Sequence, residues 1–127
     1  MELVDGCAIF WKSERFDLAE PRCSFEFASI ASTLAAEGSG RGASLIKSRV
    51  VPQDNVAMAV VLRVKGRVGE TGQVLAVCNT HLYWNPEFCD VKLVQTMMLA
   101  HELHKLLLRV SDKYQVCGDP IASLRGL

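Results

Sequence analysis

The chain has 127 residues, half of them hydrophobic and 22% charged, which is the make-up of one compact globular unit and excludes a disordered segment. Lysine plus arginine balances aspartate plus glutamate at 14 each, and a net charge of zero excludes a coat that holds nucleic acid by charge alone. A cleft that grips one strand through local contacts stays open, whereas no stretch is long and apolar enough to make a membrane a partner.

In chain order, Cys7 to Trp11 is an apolar run entered through the Asp5-Gly6 turn signal and is expected to form a buried strand. Phe16 to Ala19 returns as its neighbour, and Phe25 to Ile30 fits either helix or strand. Glu37 to Ser44 is rich in glycine and serine and reads as a flexible loop. Its glycine spacing is not a dinucleotide fingerprint, because no strand leads in and no clear helix follows. Asn55 to Val64 is β-branched and suits a central strand, and Gly66 to Gly72 suits a hairpin connection. Val74 to Cys78 is apolar on both sides of the alternation, as in a strand covered on both faces.

Beyond that strand the chain turns polar at Asn79, Thr80 and His81. Asn85-Pro86-Glu87 then supplies a cap, a proline suited to a first helical position and an early acid, with Asp90 as an alternative cap. Val91, Val94, Met98, Leu103, Leu106, Leu107 and Val110 repeat at helical spacing and give the helix one apolar face, with Met97 and Met98 as core filler. Tyr114 to Cys117 reads as a last strand ending at Gly118-Asp119. Strand, helix and strand in this order imply an α/β domain.

The residues that could carry chemistry stand at two strand ends, His81 and Asp119, where open α/β folds bind ligands. Asn79 shares a strand face with His81 and is a candidate to touch the same ligand. The helix that starts near Asn85 turns its free N–H groups toward that rim, so a histidine, a carboxylate and a helix N-terminus suit a phosphate ester. A strand-end histidine and a Gly-Asp pair also have plain structural uses. His101 and His104 stand three apart, which fails the zinc-protease spacing, and solvated helix histidines account for them better. The five cysteines are odd in number and form no C-x-x-C pair, which suits reduced thiols and a reducing compartment. No basic segment followed by an apolar one opens the chain, so no secretory signal is expected and the cytoplasm is the expected location, with nucleus and mitochondrion as alternatives.

Four segments resemble a known family. Val4 to Phe10 is similar to a strand of the exonuclease–endonuclease–phosphatase superfamily, in the branch of carbon catabolite repressor protein four, nocturnin and the angel proteins. Asp54 to Leu62 is similar to that branch's next core strand. The stretch from Asn79-Thr80-His81-Leu82-Tyr83-Trp84 through Asp90-Val91-Lys92-Leu93 to Gln95-Thr96 nearly matches its signature, and Tyr114 to Asp119 resembles the start of a further strand end. The resemblance implies part of a DNase-like four-layer α/β sandwich with mixed sheets, and an Mg²⁺-dependent 3′–5′ exoribonuclease acting on the poly(A) end of RNA, within a deadenylase complex. It implies that His81 hydrogen-bonds the scissile phosphate, a type of contact worth roughly 3–4 kcal/mol of barrier. It further implies that Asp119 orients or deprotonates the attacking water near the metal, and that Pro86 packs on an adenine ring. Trp84 is expected to pack beneath that loop.

The same resemblance puts the family's metal-binding glutamate before residue 1 and its closing Asp-His pair beyond residue 127. The chain therefore reads as a partial domain over 1–127, with no metal ligand of its own and inactive by itself. Ile121 stands where the family has an amide, which it cannot replace as a hydrogen-bonding group. Two alternatives stay open: a non-catalytic remnant or binding module, and a 2′,5′-phosphodiesterase or other nucleotide phosphatase. Without the second sheet, the strands are expected to keep an apolar face uncovered.

Overall fold

A computed structural model describes residues 6–66 and 73–114. The element order is β1 (Phe16–Leu18), β2 (Cys23–Glu26), α1 (Phe27–Glu37), α2 (Gly40–Leu45), a π-helical turn (Ile46–Val50), β3 (Val56–Val64), β4 (Val74–Thr80), a 3₁₀ turn (Pro86–Phe88) and α3 (Cys89–Tyr114). The architecture is α/β, and every strand pair among the described residues is antiparallel.

β3 is the centre of the sheet, as its run of β-branched residues predicts. On one edge its last residues pair with β1, Phe16 opposite Val64, and its first residues pair with β2, Glu26 opposite Val56. Between the two, the Ala19 N–H still donates to the Val61 carbonyl at 2.8 Å, so β1 and β2 form one edge interrupted beside Pro21, which has no N–H to give. The other edge is β4, in register from Ala57 opposite Thr80 to Arg63 opposite Val74. The Val64 N–H donates to the Gln73 carbonyl at 2.9 Å, so the pairing runs into the expected hairpin, whose residues 67–72 lie outside the described ones.

Side chains on β3 alternate, and Ala57, Ala59 and Val61 face α3. Phe27, Ala31, Val50, Val91, Met98 and Leu99 close the core at one end of that face, and Leu106 and Val110 close it at the other. The small alanines let α3 approach the strand. On the opposite face Leu62 is buried, while its cross-strand neighbours Leu18 and Leu75 are 46% and 47% exposed. An apolar row thus stays partly uncovered.

Five expectations need correction. Residues 7–11 form no strand, and Phe10 is 91% exposed; the segment is held instead by the Cys7 thiol donating to the Val56 carbonyl and by the Asn79 side chain donating to the Ala8 carbonyl. The glycine-rich segment is a loop only at 38–39. From Gly40, which takes φ = 76°, it winds into α2 because Ile46 and Val50 downstream dock on the core. β4 is not covered on both faces, since Leu75, Ala76 and Cys78 are exposed. Met97 is 63% exposed, so only Met98 fills the core. Finally, α3 continues through Tyr114, where a strand was expected to start; residues 115–117 and Asp119 lie outside the described ones. Tyr114 stays helical because its hydroxyl donates to the Glu20 carboxylate at 2.7 Å and lies 2.9 Å from the Ala19 carbonyl oxygen. The ambiguous stretch resolves as the end of β2 followed by α1.

Candidate functional site

The site is built where β4 stops. The last paired residue, Thr80, donates its hydroxyl to the Val56 carbonyl at 3.2 Å, and the His81 N–H donates to the same oxygen at 3.2 Å. His81 is therefore carried at the sheet rim with its residue exposed. Asn79, one pair inside the ladder opposite Met58, is exposed, and its amide donates to Ala8 at 3.0 Å. Pro86 is exposed and opens the 3₁₀ turn, where Asn85 Oδ1 accepts from the Glu87 N–H at 3.0 Å. Asn85 is thus the cap, and Asp90 instead sits in the first turn of α3. The structure brings Asn79, His81 and Pro86 to one end of the sheet along eight consecutive residues. Asp119, the fourth site residue, lies outside the described residues.

A loop of five residues, 81–85, joins the strand to the turn, and buried groups fix its middle. Gln95 on α3 is fully buried; its Oε1 accepts from the Tyr83 N–H at 2.9 Å, and its Nε2 donates to Asn55 Oδ1 at 3.0 Å. One side chain therefore ties the rim loop, the entry to β3 and the helix together. The Tyr83 ring meets Phe88 edge-on at 5.3 Å between centroids, and both pack against the core. Trp84 turns outward and is 73% exposed, contrary to its expected place beneath the loop. Sequence reasoning missed Gln95, although an amide at the i+4 position from Val91 on an apolar helix face is a visible signal.

A second brace was also missed. Arg49, from the π-helical turn, grips Asp90 with two hydrogen bonds, Nη2 to Oδ1 at 2.9 Å and Nε to Oδ2, and its guanidinium lies 4.5 Å from the Phe88 ring centroid. The paired Arg49 holds the Asp90 carboxyl below its ordinary value. The partners are 41 residues apart in sequence, and no local pattern reveals them. Glu87 and Asp90 already complement the positive end of the helix.

Four cysteines among the described residues, Cys7, Cys23, Cys78 and Cys89, are free thiols. Cys78 is exposed as a residue, but partial burial of its thiol, and then the neighbouring Cys7, raise its pKa above the ordinary value, which disfavours the thiolate. His101 and His104 are exposed on α3. Among the described residues no three His, Cys, Asp or Glu side chains come together as a cation cage. No helix of the described residues is long and apolar enough to cross a membrane.

No protein-family model matches the chain. Curated proteins do. The chain is 38% identical over 115 residues to the CCR4-NOT transcription complex subunit 6-like protein of Danio rerio, a match over 85% of this chain and 20% of that one. It is 34% identical over 119 residues to subunit 6-like-B of Xenopus laevis, covering 87% and 20%. It is 39% identical over 108 residues to the CCR4-Not complex 3′-5′-exoribonuclease subunit Ccr4 of Yarrowia lipolytica, covering 85% and 14%. The chain spans about a fifth of the length of the curated relatives it matches first.

Proposed function

We infer that this chain, which belongs over its matched segment to the Ccr4-type family of CCR4-NOT subunits, is part of a 3′–5′ exoribonuclease domain that removes AMP from poly(A). The observation that supports the reading most is the stretch from Asn79 to Thr96. It is the signature segment of the resemblance, and it forms one continuous unit of strand end, braced loop and helix start that carries His81 at an exposed rim.

In this reading His81 donates to a non-bridging oxygen of the scissile phosphate and steadies the charge that builds during in-line attack. Asp119 orients the attacking water, and Pro86 offers its ring to an adenine. Asn79 helps to position the same nucleotide from inside the ladder. Mg²⁺ is the proposed metal, with its ligands outside the described residues. The fold is one sheet of a four-layer sandwich: α1 and α3 form an outer layer, and the face with Leu18, Leu62 and Leu75 packs on a second sheet. The cytoplasm and a CCR4-NOT-like deadenylase complex are the proposed setting, and 1–127 is a portion of the catalytic domain.

One sequence feature favours a second, non-catalytic reading: Ile121 occupies the place of an amide in the resembled motif. A single assay separates the readings. The natural protein that contains this segment is incubated with poly(A) or 2′,5′-oligoadenylate in Mg²⁺ or EDTA, and AMP is quantified. The exoribonuclease reading expects AMP from poly(A) in Mg²⁺ alone, with a loss of about 10²–10³-fold in His81→Ala. A folded protein that leaves both substrates uncut establishes the non-catalytic reading. Preference for the 2′,5′ linkage moves the activity to that branch.

A further inference from the structure

Among the described residues Trp84 has no place in the core that accounts for its position. It is the largest apolar side chain of the rim loop, yet it is 73% exposed, while the residues on either side of it are fixed. Before it, the Tyr83 N–H is bound by the fully buried Gln95, and the Tyr83 ring is packed on Phe88. After it, Asn85 is committed to the Glu87 N–H as the cap of the 3₁₀ turn. The indole is therefore carried on a loop whose backbone is held on both sides. Its ring stands 6.5 Å from the Tyr83 ring at an interplanar angle of 41°, which leaves the indole without a stacked partner on that side.

The charges that follow it in sequence bear on what kind of ligand suits this ring. Glu87 follows three residues later, and Asp90 is near in sequence with Arg49 already bound to it. A phosphate gains little attraction from this group, whereas the uncharged face of a nucleobase gains a stacking surface, which every base can use and which needs no cation. We propose that Trp84 is a stacking platform for one nucleobase of a single-stranded RNA, held beside the rim by the Gln95 brace. The inference rests on the exoribonuclease reading and adds a base contact distinct from that of Pro86. Because the contact carries no charge, its contribution does not depend on salt, in contrast to phosphate contacts.

The chain has two tryptophans, Trp11 and Trp84, so Trp11→Phe leaves Trp84 as the sole indole, read by excitation at wavelengths that tyrosine does not absorb. That variant of the full chain is titrated with a decameric oligoadenylate and with an abasic ribose-phosphate oligomer of equal length, with anisotropy of the labelled oligomers read in parallel. The expected result is quenching of Trp84 by oligoadenylate and none by the abasic strand. Trp84→Ala is expected to weaken oligoadenylate binding roughly tenfold, equally at low and moderate salt, and Trp84→Phe to restore most of it. Binding with unchanged Trp84 emission, equal quenching by the abasic strand, or wild-type affinity in Trp84→Ala overturns this inference and leaves the exoribonuclease reading standing. If the natural protein that contains this segment binds no oligoadenylate, that reading loses support and the inference falls with it.

Discussion

Gln95 is the residue on which the local geometry turns. An amide with no solvent contact is tolerated on the apolar face of a helix because both ends of it are bonded, to Asn55 and to the Tyr83 N–H. Gln95→Leu keeps the volume but leaves a backbone N–H without its partner. It should lower stability by about 1–3 kcal/mol in urea unfolding and speed hydrogen exchange at the Tyr83 amide. Exchange at Tyr83 as slow as in the unaltered chain would show that the brace is not what holds the loop. At this scale the sequence exposed the polar residues following β4 but not what fixes them. His81 and Pro86 could be singled out from their neighbours, whereas the partners of Gln95 are 12 and 40 residues away.

Among the elements, α3 explains most of the fold. Its apolar periodicity was legible from Val91 to Val110, and Val91, Met98, Leu106 and Val110 are buried as expected. Met97 was not legible, because two adjacent methionines cannot both face the core of a helix and composition does not say which one does. Met98→Ala should cost about 2–5 kcal/mol, while Met97→Ala should stay within about 0.5 kcal/mol, as chemical denaturation of the two variants can establish. Each end of α3 is pinned by an ion pair: Arg49 with Asp90 at the start, and Lys113 with Glu20, at 2.7 Å, at the close. Arg49 lowers the Asp90 pKa, and Lys113 and then Tyr114 lower that of Glu20. In both cases the folded chain takes up the proton less readily than the unfolded one. The stabilisation is therefore present above the ordinary carboxylate range and is lost as pH falls through the lowered values. The gap in melting temperature between the unaltered chain and Asp90→Asn should be open at pH 7 and close toward pH 3. A gap that persists in acid would assign the effect to something other than this pair.

For the whole molecule, the α/β class and the central place of β3 followed from β-branched runs and helical periodicity. The N-terminal apolar run misled because hydrophobicity alone does not give a strand an edge to pair with: residues 7–8 meet β3 at Val56 and β4 at Asn79 through side-chain bonds. The glycine-rich stretch misled for the opposite reason, since docking of Ile46 and Val50 outweighs the poor helix propensity of Gly40 and Gly42. Among the described residues the row of Leu18 and Leu75 stays partly open. What unites these scales is the claim that the rim after β4 binds a phosphate ester together with the carboxylate of Asp119. A crystal structure of the natural protein with AMP and Mg²⁺ tests it most directly, by the distances from the phosphate to His81 and to Asp119. The account predicts the phosphate in hydrogen-bonding reach of the imidazole, with the carboxylate facing the same group; the two side chains on opposite sides of the molecule, unable to share one ligand, would contradict it.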